Sequence, residues 1–256
     1  MSQSSFGEAL LRLWPNGDRA VPSLRAGMIA RAPAVFQQYG ITTPLLAAHV
    51  MAQISHECGA GTEVIENLNY SAARLMQVWP SRFPSLASAR PYANNPKALA
   101  NKVYNGRMGN AVGSDDGWNF RGRGAVQTTG REGYQRLAVL TGLDVVNDPA
   151  LVNDPRYFLA CGVADFILCG CLPFAQADDI AGVTKRLNGG TIGLEARRQW
   201  LAQWKAALQS APIVVSTEAP KPDAPSIGDP PVQQPAPIPS LLSKFIAAIV
   251  AVFRRS

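Results

Sequence analysis

Apolar residues recur at helical spacing along most of the first four-fifths of the chain. Segment 24–39 places Met28 and Val35 near one helical repeat, and Pro33 is expected to kink or break that helix. Similar patterns predict helices over 44–57, 71–79, 156–170, 178–188 and 194–208. Residues 104–130 are rich in glycine and asparagine and predict irregular backbone. We therefore expect a mainly α fold with a cleft where the loops meet.

One change in composition divides the chain. Residues 212–239 contain nine prolines, a density that blocks both helix and sheet. This predicts a folded unit over 1–211, an extended linker, and a separate short helix over 240–256. That helix is apolar between Lys244 and Arg254 and reaches only about 20 Å, which is short of a bilayer core of roughly 30 Å. It is expected to lie on a membrane surface or to dock on another protein.

Charge and cysteine content narrow the choice of partner and compartment. The chain has 24 basic and 18 acidic residues, a net charge of +6 that favours an anionic partner. Its four cysteines form no CxxC pair and are expected to be buried thiols. The first twenty residues lack a basic region followed by a long apolar one, so synthesis in the cytoplasm without a signal peptide is expected.

Two glutamates are the strongest candidates for chemistry. Glu57 closes an apolar helix, whereas Glu66 lies in a polar loop nine residues later. Carboxyl groups in such different surroundings can serve as proton donor and proton acceptor, the pair that glycoside hydrolysis needs. From spacing alone, two solvated glutamates are the more common case. His56 and Glu57 begin an HExxH zinc pattern, but Ala60 stands in place of the second histidine.

The glycine-rich stretch 103–134 supplies arginines and aromatic rings together: Tyr104, Arg107, Trp118, Phe120, Arg121 and Arg123. Aromatic faces and forked donors suit a sugar ring, and they equally suit single-stranded nucleic acid. A structural alternative is that at least one of these arginines staples the long loop to the core. No phosphate-binding GxxxxGK[ST] pattern is present.

Five motifs in a fixed order resemble glycoside hydrolase family 19, in particular its compact bacterial and phage branch of endolysins and chitinase-like lysozymes. The motifs are SHECGAG (55–61), ENLNYSA (66–72), VYNGRMGN (103–110), DDGWNFRGRGAVQTTGREGY (115–134) and LNGG (187–190). The resemblance covers roughly residues 40–208. It implies a lysozyme-like, mainly α fold with a substrate cleft and inverting cleavage of a β-1,4-linked N-acetylhexosamine polymer.

The resemblance also implies residue roles. Glu57 would be the general acid, Glu66 the general base, and Thr129 would help to hold the attacking water. Arg197 matches an arginine near the base carboxylate. Inversion implies carboxyl groups roughly 6.5–9.5 Å apart, and no metal or cofactor is implied. The expected substrate-binding residues are Tyr70, Tyr104, Arg107, Trp118, Gln127, Asn188 and Arg197.

Two positions depart from the family pattern. Gly133 stands where related sequences often have asparagine, and Ile192 stands where a polar residue is frequent. Both departures bear on substrate fit, since neither position carries a catalytic carboxylate.

The preferred hypothesis is an endolysin-type lysozyme that acts on peptidoglycan in the cell wall or periplasm after release. A chitinase using the same residues is the alternative. A third hypothesis is a non-catalytic module that binds the wall or nucleic acid. For the enzyme we expect a monomer, a glycan substrate, membrane contact through 240–256 and no nucleic-acid partner.

Overall fold

The computed structural model describes residues 3–209, so the predicted linker 212–239 and terminal helix 240–256 lie outside the described residues. The helices are α1 (Gln3–Leu13), α2 (Leu24–Gln38), α3 (Pro44–Glu57), α4 (Ala72–Val78), α5 (Leu86–Ala89), α6 (Pro96–Tyr104), α7 (Asp116–Asn119), α8 (Arg131–Thr141), α9 (Phe158–Leu168), α10 (Leu172–Gln176), α11 (Ile180–Asn188) and α12 (Leu194–Gln209). Short 3-10 turns occupy Arg90–Tyr92 and Pro149–Asn153. Between residues 3 and 209 there is no strand, only isolated bridges from Arg123 to Ile65 and to Thr128. The prediction of a mainly α fold is confirmed.

Helix α3 is the central element of the fold. Thr43 caps it by accepting a hydrogen bond from the Leu46 backbone N–H at 3.2 Å, and Pro44 fits its first turn. Every residue from Leu46 to Glu57 is buried, because α12, α10, α9 and α11 pack around the helix. A helix enclosed in this way holds its last residue, Glu57, at a fixed position.

Ser55 on α3 joins both ends of the described chain to this helix. Its hydroxyl oxygen accepts hydrogen bonds from the indole N–H groups of Trp14 and Trp204, each at 2.8 Å. All three side chains are buried, so these bonds satisfy two donors that water does not reach. The regions of α1 and α12 are thereby locked onto the helix that carries Glu57.

Three groups of buried apolar residues form the interior. The largest surrounds α3, and a second joins Phe120, Tyr134 and Val152 beside α8 and α9. The third is built mainly by residues 67–114, around Trp79, Phe83 and Leu99, and Trp118 packs against it. We call residues 67–114 the small lobe, since they have a core of their own.

The structure corrects the expectation about Pro33. Helix α2 runs unbroken from Leu24 to Gln38 with Pro33 inside it. Pro33 is on the exposed face, so the carbonyl that loses its helical partner can bond to water instead. Amphipathicity along the buried face, with Met28 and Val35 in the core, outweighs the missing hydrogen bond.

Other local predictions can now be compared with the structure. The remaining predicted helices occur as α3, α4, α9, α11 and α12, whereas α1, α6 and α8 were not predicted. Residues 104–130 are irregular apart from the single turn α7. Cys58, Cys161 and Cys171 are buried free thiols, as expected, and Cys169 is partly buried. None of the helices between residues 3 and 209 combines the length and the apolar character needed to cross a membrane.

Candidate active site

Glu57 is held from the buried side of α3. Arg197 donates one hydrogen bond through Nη2 to Glu57 Oε1 and another through Nη1 to Gln53 Oε1. Gln53 lies one helical turn before Glu57, so one guanidinium on α12 spans two acceptors on the same face of α3. Arg197 is 1% exposed. Arg197 is thus a buried partner of Glu57, whereas the resemblance implied a place near Glu66 and a contact with the substrate.

Glu66 is held at the opposite end of the loop that follows α3. Tyr104 Oη donates to Glu66 Oε1 at 2.6 Å, and the Gly122 backbone N–H donates to Oε2 at 3.2 Å. The Glu66 backbone N–H donates in turn to the Gly122 carbonyl at 2.9 Å. Burial raises the pKa of Glu66, whereas the bonds from Tyr104 and Gly122 lower it. A raised pKa makes Glu66 a stronger base near neutral pH.

Gly122 leaves space between Glu66 and the QTTG segment. A methyl group built on Gly122 would lie 3.4 Å from Glu66 Cβ, 3.4 Å from Thr129 Oγ1 and 2.9 Å from Gln127 Oε1. The three predicted residues Glu66, Gln127 and Thr129 therefore face one small space. Gln127 holds a backbone φ of +57°, a left-handed conformation that side-chain-bearing residues seldom adopt.

This geometry suits the binding of one water molecule. Thr129 Oγ1 donates its own hydrogen to the Gln127 carbonyl at 2.8 Å, so the hydroxyl can only accept further hydrogen bonds. Ionised Glu66 is also an acceptor. A water between Glu66 and Thr129 would donate both of its hydrogens to the protein, and its lone pairs would point away from these two groups.

The loop between the two carboxylates is fixed at several points. The Gly61 N–H donates to Cys58 Sγ at 3.3 Å, and the Glu63 N–H donates to the Cys58 carbonyl at 2.9 Å. A side chain at Gly61 would come within 2.6 Å of the Gly17 carbonyl oxygen. Gln127 Nε2 donates to the Glu63 carbonyl at 3.1 Å. Glu57 and Glu66 are thus joined by a rigid connection rather than a loose one.

The arginines of the long loop make contacts within the loop, whereas the structural alternative had one of them staple the loop to the core. Arg121 Nη1 donates to the Trp118 carbonyl at 2.8 Å, and its guanidinium lies 3.5 Å from the centre of the Trp118 ring. Arg123 donates to the Asn119 carbonyl. Arg131 makes a two-pronged ion pair with the buried Asp116, at 2.6 and 2.8 Å. These contacts fold the loop onto itself and cover one face of Trp118.

Several predicted sugar-contacting residues are less accessible than expected. Tyr104 is 5% exposed and its hydroxyl is taken by Glu66, so it supports the carboxylate instead of stacking on a sugar. Asn188 Nδ2 donates to the Ile192 carbonyl at 2.9 Å and its Oδ1 is buried, and its contact with a sugar stays a prediction. Tyr70 packs edge-on against Trp79 and is buried. Arg107 is exposed at the surface of the small lobe.

Three further residues shape the site without having been predicted. Gln53 and Glu57 both accept a hydrogen bond from Arg197. Residues four apart on a helix lie on the same face, so the sequence does indicate that Gln53 and Glu57 are neighbours. Gly122 provides the space beside Glu66. Asp165 on α9 accepts a hydrogen bond from Thr128, and burial raises its pKa to about 7. Asp165 is the one acidic residue in the apolar run FLACGVADFILCG, and this pattern indicates a buried carboxyl group.

Known proteins show similarity in both sequence and fold. No family model matches this chain. A Haemophilus influenzae protein described as a glycosyl hydrolase family 19 domain-containing protein is 31% identical over 182 residues, which are 70% of this chain and 88% of that protein. Chitinase C from Streptomyces griseus has a similar fold, with a TM-score of 0.50 and 15% identity over 81% of this chain and 76% of that one. A point mutant of chitinase C gives a TM-score of 0.54 and 14% identity, again over 81% of this chain and 76% of that one.

Proposed function

This chain belongs to glycosyl hydrolase family 19 and is a glycoside hydrolase, and we propose that it is an endolysin-type lysozyme that hydrolyses the β-1,4 bonds of peptidoglycan. The observation that carries the proposal is the approach of Glu66 and Thr129 at Gly122, where a methyl group would lie 3.4 Å from Glu66 Cβ and 3.4 Å from Thr129 Oγ1. A nucleophilic water bound there would lie beside a carboxylate whose pKa is raised by burial.

The proposed reaction uses the two carboxylates on opposite sides of the sugar. Glu66 accepts a proton from the water as the water oxygen bonds to the anomeric carbon. The bond from that carbon to the glycosidic oxygen breaks, and Glu57 gives its proton to the leaving oxygen. Attack opposite to the leaving group inverts the anomeric centre. Arg197, which also donates to Gln53, holds Glu57 through its Oε1, so the proton that Glu57 gives to the leaving oxygen is carried on Oε2.

Peptidoglycan is favoured over chitin by charge. The net charge of +6 complements an anionic wall polymer, whereas chitin is uncharged. Chitin is the second candidate substrate because two solved structures of similar fold carry the name chitinase C. Their low identity supports a shared fold only.

The first experiment separates the two substrates. Purified full-length protein is incubated with peptidoglycan sacculi and, separately, with soluble chitin oligomers, and the products are identified by mass spectrometry. Muropeptides that are absent with Glu57→Gln establish a lysozyme. Chitin fragments alone would establish a chitinase, and cleavage of neither would contradict the proposed reaction. Glu63→Gln is the matched control, because Glu63 is an exposed glutamate of the same loop.

A second experiment separates the two catalytic roles. A glycoside whose aryl leaving group needs no proton should still be cleaved by Glu57→Gln, because only the acid is missing. Azide should restore turnover to Glu66→Ala and yield an α-glycosyl azide, because the anion replaces the activated water on the face opposite a β-linked leaving group. If azide instead rescued the Glu57 variant and the activated glycoside rescued the Glu66 variant, Glu66 would be the acid and Glu57 the base.

We further propose that the protein acts in the cell wall after release and that residues 240–256 contact a membrane. The apolar and basic composition of that segment supports membrane-surface binding. Full-length protein and a 1–211 truncation are compared on cells with an intact outer membrane and on isolated sacculi. Equal lysis of the cells by both proteins would contradict the membrane role.

A further inference from the structure

The net charge of +6 equals the charge of the small lobe. Residues 67–114 contain six basic residues and no acidic one. The other 18 basic residues of the chain are balanced by its 18 acidic residues. The basic residues of the small lobe are Arg74, Arg82, Arg90, Lys97, Lys102 and Arg107.

These six side chains lie on the surface of the lobe. Arg90, Lys97, Lys102 and Arg107 are exposed, and Arg74 and Arg82 are partly buried. Lys97 forms a 2.7 Å ion pair with Asp115, which lies just beyond the lobe in sequence. The charged side chains of the small lobe itself are thus all positive, with Asp115 as an acidic neighbour at Lys97, whereas the rest of the chain mixes both signs.

Part of this surface adjoins the groups that hold Glu66. Arg82 Nη1 donates to the carbonyl of Val103, the residue before Tyr104, at 2.9 Å. Arg107 lies close enough to Arg82 for its charge to lower the pKa of Arg82, although burial is the larger cause. Since Tyr104 Oη bonds to Glu66, the basic surface is joined through Arg82 to the segment that positions the catalytic carboxylate.

We propose that the basic surface of the small lobe binds the carboxylates of the peptides attached to the glycan strand. This inference rests on the proposed function, because only peptidoglycan carries such peptides. Arginine pairs with carboxylates in a two-pronged geometry, and several such contacts along a strand hold it beside Glu66. Chitin offers no carboxylate to this surface, so the lobe discriminates between two polymers that share the same bond.

The test removes three charges from the small lobe and the same number elsewhere. The small-lobe variant is Arg74→Gln, Arg90→Gln and Lys102→Gln. The matched variant is Arg12→Gln, Arg31→Gln and Lys185→Gln, three exposed positions on α1, α2 and α11. Both lower the net charge equally. Each protein is assayed on intact sacculi, on sacculi whose peptide carboxylates have been converted to neutral amides, and on chitin oligomers.

The small-lobe variant should lose about threefold to tenfold in kcat/KM on intact sacculi, mainly through KM, and should match the parent on amidated sacculi. The matched variant should stay near the parent on both. Equal losses in the two variants, or an equal loss on amidated sacculi, would overturn the inference.

Other outcomes separate this inference from the proposed function. A parent protein that cleaves chitin oligomers but neither form of sacculi would refute the lysozyme proposal and the peptide site together. Cleavage of both sacculi with no difference between variants would refute only the peptide site. DNA binding that depends on the small-lobe charges, with unchanged sacculus kinetics, would assign the surface to nucleic acid instead.

Discussion

Arg197 and Glu57 form an ion pair inside the protein, with side chains 2% and 5% exposed. Removing one member of such a pair leaves a buried charge without its partner, so Arg197→Ala should lower the free energy of unfolding by about 3–5 kcal/mol. Chemical denaturation measures this change. Arg198→Ala is the control, because its side chain is 53% exposed and its ion pair with Glu195 is long, at 3.6 Å. Similar stability losses in both variants would contradict the importance of the buried pair.

Gly122→Ala should remove activity while leaving the fold intact. The added methyl group fills the space that Glu66 and Thr129 face, so we expect kcat to fall roughly a hundredfold. The free energy of unfolding should change by less than about 1 kcal/mol. Gly133→Ala is the matched control, since its methyl group would meet Thr128 Cγ2 at an ordinary 3.6 Å. Normal turnover by Gly122→Ala would show that the nucleophilic water lies elsewhere.

Tyr104→Phe should change the pH dependence of catalysis. The hydroxyl stabilises ionised Glu66 and lowers its pKa, by a hydrogen bond typically worth about 1.5–3 kcal/mol to a charged group. Without it the pKa of Glu66 rises, so the acidic limb of kcat/KM against pH should move to higher pH. Activity should fall most at acid pH. A uniform loss at every pH would contradict this explanation, and Tyr92→Phe in the same lobe serves as the control.

Asp165→Asn should stabilise the protein at alkaline pH. Burial raises the pKa of Asp165 from 3.8 to about 7, so the folded state holds this proton more tightly than the unfolded state. The resulting stability is fully present below pH 3.8 and is lost as the pH rises through about 7. At pH about 8 the Asn variant should be more stable by roughly 1–4 kcal/mol. Thermal unfolding at pH about 4 and about 8 measures this difference, which should shrink at the lower pH.

The matched variant for Asp165 is Asp144→Asn. It makes the same substitution at an aspartate that is exposed instead of buried. Its stability should be nearly independent of pH relative to the parent. An Asp165→Asn variant that is destabilised equally at both pH values would mean that the carboxylate contributes through geometry rather than through its charge.

Local patterns predicted much of the fold because its helices have strong local signals. The cap at Thr43 and the apolar run that follows predicted α3 correctly. Pro33 misled the prediction, since whether a proline disrupts a helix depends on the solvent exposure of the carbonyl it frees. Helix α6 was not predicted, although Asn95 and Pro96 provide a typical start for it.

The site was predicted where sequence neighbours determine the geometry and missed where distant segments meet. Glu66 and Thr129 were identified through motifs, and the structure brings them together around Gly122. The partner of Arg197 could not be deduced from sequence, because 140 positions separate it from Glu57. Burial of Tyr104 is likewise a property of the packed small lobe, which no local pattern specifies.

The bonds from Trp14 and Trp204 to Ser55 have a consequence for the timing of activity during synthesis. A chain emerging from the ribosome makes α3 and both carboxylates within its first 66 residues. Arg197 and Trp204 are made last among the residues that fix α3. Nascent chains that carry Glu57 therefore lack its partner until almost the whole domain has been translated, so a glycoside hydrolase of this design matures only when the domain is complete.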